Sequence, residues 1–145
     1  MDTKKYEDQI PVDEGLQGNE TIEEAILVLQ QEPTEEMLAH TLTVIRRRAR
    51  ANGQFIVAVI PPACAESSLQ IQAIQTEDER YWWMAFTSFD EELKGSNSVM
   101  STFMTDIKQL FTSALQADAI SGIILNPWNR TIMLDKNLIQ ITLGL

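Results

Sequence analysis

Gln54-Phe55-Ile56-Val57-Ala58-Val59-Ile60 is apolar at both alternating positions, rich in β-branched residues, and followed directly by Pro61-Pro62. Successive side chains of a strand point to opposite faces, so a run that is apolar throughout fits a strand covered on both sides. The prolines cannot donate to a ladder and terminate it. This segment is expected at the middle of the core, and the flanking sequence is read around it.

Upstream lie two helices. Thr21-Ile22-Glu23-Glu24 matches a capping box, and Ile22, Ala25, Ile26 and Leu29 recur at helical spacing up to Pro33. Thr34 can cap a second helix with Glu35 and Glu36 in its first turn, Leu38, Leu42, Ile45 and Ala49 on one face, and Gly53 as its stop. Residues 1–18, with Pro11, Gly15, Gly18 and many charges, read as a flexible acidic leader, leaving residues 19–145 as the folded domain.

Downstream, Leu69-Gln70-Ile71-Gln72-Ala73 alternates, and a polar turn at residues 76–79 joins it to a strand over residues 80–87, predicting an antiparallel hairpin. Residues 90–94 form a short acidic helix, followed by the break Gly95-Ser96-Asn97-Ser98. Phe103, Ile107, Leu110, Phe111 and Ala114 predict an amphipathic helix over residues 101–116. Two strands, residues 120–126 and 131–134, flank the turn Pro127-Trp128-Asn129-Arg130, and Asp135 can cap a terminal helix carrying Leu138, Ile139 and Ile141. A helical crossover between strands makes some of them parallel. The fold class is α+β, a single domain with a mixed five-stranded sheet and helices packed on it.

With 145 residues, 44% of them hydrophobic and 22% charged, the composition is that of one globular domain and excludes collagen, coiled coil and wholesale disorder. Apolar runs fall far short of the roughly 18 residues of a membrane span, and no secretory signal is visible at the amino end. The single cysteine, Cys64, cannot form an intramolecular disulfide, so a cytoplasmic setting is expected. The net charge of −10 is concentrated: residues 1–36 hold eleven acids against Lys4 and Lys5, a net of −9, and the remainder is at −1. This balance disfavours nucleic acid and anionic membrane as partners. Arg46, Arg47, Arg48 and Arg50 close the second helix, where cations complement the negative end of the helix dipole.

Phe86-Thr87-Ser88-Phe89-Asp90-Glu91-Glu92, the following amphipathic helix, and Gly122-Ile123-Ile124-Leu125-Asn126-Pro127-Trp128 together resemble the SseB N-terminal domain family. The likeness runs over about residues 19–145. It implies the α+β fold of that family and brings no catalytic residues with it.

The residues themselves offer little for catalysis. His40, the only histidine, lies opposite the apolar stripe of its helix and should face solvent. With one such histidine and one cysteine, the usual nucleophile and base pairings lack material, and Cys64 reads as structural. Metal-ligand spacings and phosphate-cradling glycine loops are missing, so no catalytic residue, metal or cofactor is expected. Asp90 or Asp106 acting as acid and base ranks last. The aromatic pattern carries more. Trp82 and Trp83 are adjacent in a strand and must face opposite sides of the sheet. Trp128 and Arg130 occupy a turn, and both residue types are enriched at interface hot spots. The expectation is a noncatalytic module that binds a protein partner through Trp128, Arg130, Asn126 and Trp83. The alternative is a pocket for an amino acid or metabolite between sheet and helices. A homodimer is the commonest assembly if the chain self-associates.

Overall fold

The computed structural model describes residues 14–60, 70–94 and 101–144. Its strands are β1 (Gln54–Ile60), β2 (Gln70–Ile71), β3 (Ala73–Gln75), β4 (Tyr81–Phe86), β5 (Ser101–Asp106), β6 (Gly122–Leu125) and β7 (Ile132–Asp135). Its helices are α1 (Glu20–Gln31), α2 (Glu35–Arg50), α3 (Phe89–Leu93), α4 (Ile107–Gln116) and α5 (Lys136–Leu143).

β1 is central, as its two-sided apolar pattern requires. It pairs antiparallel with β5 along nearly its whole length, from Gln54 opposite Asp106 to Val59 opposite Ser101. Its other edge pairs with β4 at Ile56 and Val57 and with β2 at Val59 and Ile60. β2 and β3 are one run interrupted at Gln72, whose N–H donates to the Ala58 carbonyl (2.8 Å) while its own carbonyl accepts from Met84 N–H (3.1 Å). That run fills the wedge where β1 and β4 diverge, and β3 completes the predicted hairpin with β4. β4 and β6 are parallel, and β7 returns antiparallel to β6. The mixed sheet and the α+β class follow.

Two local expectations are corrected. Residues 101–116 are not one helix: 101–106 form the edge strand β5, and α4 starts at Ile107. Phe103 continues the helical spacing of Ile107, Leu110 and Phe111, but pairing with β1 at six successive positions gives its backbone a long-range partner that periodicity does not register. With β2 and β3 counted as one run the mixed sheet has six strands, β5 being the addition to the five expected. Likewise α1 begins at Glu20 rather than after a Thr21 cap; Thr21 Oγ1 instead donates to the Gly18 carbonyl (2.6 Å). The Thr34 and Asp135 caps form as read, accepting from Met37 N–H (3.1 Å) and Leu138 N–H (2.8 Å).

The helices cover one face of the sheet. Phe55, Val57 and Val59 of β1, Ala85, Ile123, Leu125 and Leu134 meet Ile22, Ile26, Ile45, Leu110, Phe111 and Ile139 there. Phe111 is wholly buried and its ring lies 6.2 Å from that of Phe55; burying a side chain of this size contributes about 1.5–3 kcal/mol. The opposite face holds a smaller cluster of Ile56, Ala58, Met84 and Phe86, joined by Leu16, Ile74 and Met104. Leu16 belongs to a short 3-10 turn, Glu14–Leu16, in the stretch read as leader, and the carbonyl of Gly15 accepts from Arg48 (2.9 Å). The rest of that leader, residues 1–13, lies outside the described residues, as do Cys64 and the break at 95–98.

Candidate functional site

Because β4 and β6 run in the same direction, their carboxyl ends emerge side by side, and the loops that follow them meet. Such an edge, beside the carboxyl ends of parallel strands, is where α/β sheets characteristically present ligand-binding groups. Here the first residues beyond the strands are Thr87 and Asn126, both fully buried.

Asn126 is the hub. Its N–H donates to the Ala85 carbonyl (2.8 Å), which keeps it in the β4 ladder, while its φ of 54° turns the chain sharply out of β6. Asparagine tolerates this left-handed conformation better than most residues. Its Oδ1 accepts from Thr87 N–H (2.9 Å), and its Nδ2 donates to Thr87 Oγ1 (3.0 Å) and to the Arg130 carbonyl (3.4 Å). Thr87 Oγ1 in turn donates to Glu23 Oε2 on α1. Glu23 Oε1 lies 3.3 Å from the Arg130 guanidinium, so one carboxylate ties α1 to both loops.

A second buried amide extends the network. Asn19 Nδ2 donates to the Gln54 carbonyl (2.8 Å) and the Thr87 carbonyl (3.0 Å), and its Oδ1 accepts from Arg48 Nε (3.0 Å). That occupation explains why Asn19 precedes α1 without capping it through its side chain. On the far side Ser88 caps α3 by accepting from Glu91 N–H (3.3 Å). Glu91, also buried, accepts at Oε1 from Lys94 (3.1 Å) and from Asn129 (3.3 Å), linking α3 to the turn after β6. Its Oε2 is buried without a partner among the described residues.

The loops so fixed present two aromatic rings. Trp128 is 39% exposed, and Phe89, at the start of α3, is 42% exposed. The expected site is therefore brought together only in part. Trp128 faces outward. Arg130 sits beside it but is held by Glu23 and adopts a left-handed φ of 48°. Asn126 is a buried joint and offers no surface. Trp83 stands apart, toward the amino-terminal half of β4, where its half-buried ring lines an open concavity of about 660 Å³ with Tyr81, Ile71, Ala73, Ser113 and Ile120. Its neighbour Trp82 is buried on the opposite face, as alternation requires, with Nε1 donating to Thr76 Oγ1 (3.3 Å). His40 is exposed on α2. Among the described residues no three of His, Cys, Asp and Glu converge as a metal site needs.

Reasoning from sequence missed Asn19, Thr87, Glu23 and Glu91 as members of this network. For Thr87 a signal existed: a hydroxyl directly after an apolar strand must find a partner once buried. For Asn19 the partners are 29, 35 and 68 residues away, so local sequence holds no trace of them. Compared with protein-family models, curated proteins and solved structures, the chain matches none.

Proposed function

We propose that this chain is a noncatalytic interaction module that recognises a protein partner through the loops at the carboxyl ends of β4 and β6, with Trp128 as its anchor. One observation carries the reading: a buried hydrogen-bonded frame, centred on Asn126, holds a turn whose indole projects into solvent. Rigid aromatic presentation loses little conformational entropy on binding, and Trp is the residue type most often found as an interface hot spot. The polar groups around it act as ties. Glu23 serves Thr87 and Arg130, and Glu91 serves Lys94 and Asn129, which supports a positioning role over acid and base chemistry.

The segments carrying the SseB likeness, residues 86–92 and 122–128, are the ones that meet in this frame, and we read the chain as SseB-like on that ground. Among the described residues no helix is long and apolar enough to cross a membrane. The lone cysteine, which cannot form an intramolecular disulfide, fits a partner in a reducing, cytoplasmic setting.

The test compares proteins retained from source-cell lysate by the immobilised chain and by its Trp128→Ala variant. A partner held by the first and lost by the second, with both folded, supports the reading; identical retention overturns it. A second reading has its own observation. The concavity at Trp83 falls within the about 300–1,000 Å³ range of small-molecule sites, although Ser113 supplies the one side-chain hydroxyl among the lining residues after Tyr81. A thermal shift with an amino acid or metabolite, lost in Trp83→Ala, would favour it.

A further inference from the structure

A groove open to solvent runs between α2 and α5, and none of its lining residues belongs to the Trp128 turn. On α2 its wall is built at helical spacing, from Leu38 through Leu42 and Arg46 to Arg50. Two adjoining concavities of about 300 and 370 Å³ share Arg46. The first is mainly apolar, between Leu38 and Leu42 on α2 and Leu138 and Ile141 on α5, with Ile141 46% exposed and Glu35, one turn before Leu38, its one carboxylate. The second is basic: Arg46, Arg50 and Lys108 surround it, and no carboxylate lines it.

The helix dipole does not account for this arrangement. Arg50 lies in the last turn of α2, where a cation is favourable, and Arg46 caps α5 by donating to the Thr142 carbonyl (2.9 Å) and to that of Ile141. Lys108, however, is the second residue of α4, next to the positive end of that helix, where a cation is disfavoured. Among the described residues neither Lys108 nor Arg50 pairs with a carboxylate. Three cations thus converge on one cleft in a chain of net charge −10, beside an apolar trough of matching direction.

We infer that this groove binds an acidic, apolar-anchored peptide segment of a partner protein. An apolar side chain lies in the trough against Leu42 and Ile141, and the carboxylates that follow it reach Arg50 and Lys108. From Leu38 to Arg50 the wall is about 18 Å long at 1.5 Å per residue, which suits a segment of about a dozen residues if helical. This surface is independent of the Trp128 frame, and each can fail without the other.

The probe is a fluorescein-labelled 14-residue peptide with two leucines four residues apart and four carboxyl-terminal glutamates, followed by anisotropy at low salt. Controls replace the glutamates by lysine or the leucines by serine. The Glu peptide is expected to bind at least tenfold tighter than either control, and to lose at least tenfold with Arg50→Glu/Lys108→Glu and with Ile141→Asp. Arg50→Gln/Lys108→Gln serves in place of the reversal if urea denaturation shows that variant unfolded. Absence of saturable binding overturns the inference, as does equal affinity for the folded charge variants. So does equal binding of the serine control with displacement by inorganic phosphate, which would mark a simple anion site.

Discussion

Asn126 and Thr87 bond to each other at the ends of the parallel pair β4 and β6, the amide oxygen accepting from the Thr87 backbone at 2.9 Å and the amide nitrogen donating to its hydroxyl at 3.0 Å. Thirty-nine residues separate them in sequence, and both are wholly buried. The pair closes the sheet at the edge where its loops meet, and loss of the Asn126 amide would leave the buried Thr87 N–H without its acceptor.

Asn126→Ala should therefore destabilise the chain by about 2–5 kcal/mol, combining unsatisfied buried groups on Thr87 with the strain of alanine at positive φ. Thr87→Val leaves the backbone bond to Asn126 in place and should cost less, about 1–2 kcal/mol. Urea unfolding of both variants checks the order. Equal losses would mean that the amide does no more than the hydroxyl.

Gly122 is a matter of space. A Cβ there would lie 2.0 Å from the Leu134 carbonyl oxygen and 2.8 Å from Asp135 Cα, both backbone atoms of the paired strand. No rotamer relieves that, so β6 and β7 would have to part at the Gly122–Asp135 position. Gly122→Ala should fall at the severe end of single substitutions, above about 4 kcal/mol, or prevent folding. A variant with a near-native urea midpoint would show that the two strands can slide apart freely.

The hairpin turn supplies a pH signature. Asp78 is held below its ordinary value of 3.8, first by the hydrogen bond from Thr76 and then by the backbone and charge of Arg80. A carboxyl depressed in the folded state stabilises it above the unfolded value, and that contribution disappears as pH falls through the folded one. Asp78→Asn should thus weaken the turn at neutral pH and make no difference well below pH 3.8. A carbonyl-carbon NMR titration should place the Asp78 midpoint under that of an unfolded peptide; coincidence of the two would remove the effect.

How far the sequence carried these results differs from one element to the next. β1 was legible because an apolar run at both parities admits one placement, and the caps at Thr34 and Asp135 because their bonds span three residues. That some strands run parallel followed from the need for a crossover, the choice of β4 and β6 did not, and the opposed faces of Trp82 and Trp83 followed from the pleat. β5 was obscured because Phe103 happens to extend the period of α4, while its ladder partner lies in β1. The turn bearing Trp128 was legible and the network beneath it was not, since Asn19, Glu23, Thr87 and Asn126 come from separate elements. Arg130 was assigned to a partner surface on composition; its pairing with Glu23 depends on where α1 lies against the turn.

That pairing separates the anchor from its support. Trp128 is 39% exposed on a turn closed by Asn126 and the Thr131 hydroxyl, which donates to the Asn126 carbonyl, so Trp128→Ala should cost about 1–2 kcal/mol, the share of its surface that is buried, and leave the fold intact. Arg130→Ala removes the bond to a carboxylate that is only 12% exposed and places alanine at a φ of 48°, so it should loosen the turn and lower the unfolding midpoint. Arg130→Gly tolerates the backbone angle and should recover part of that loss. If the module recognises its partner through the indole, Trp128→Ala abolishes capture with the fold intact, and Arg130→Gly weakens capture in proportion to increased amide exchange over residues 126–131. Loss of capture in Arg130→Gly with unchanged exchange would instead assign the guanidinium a direct contact with the partner.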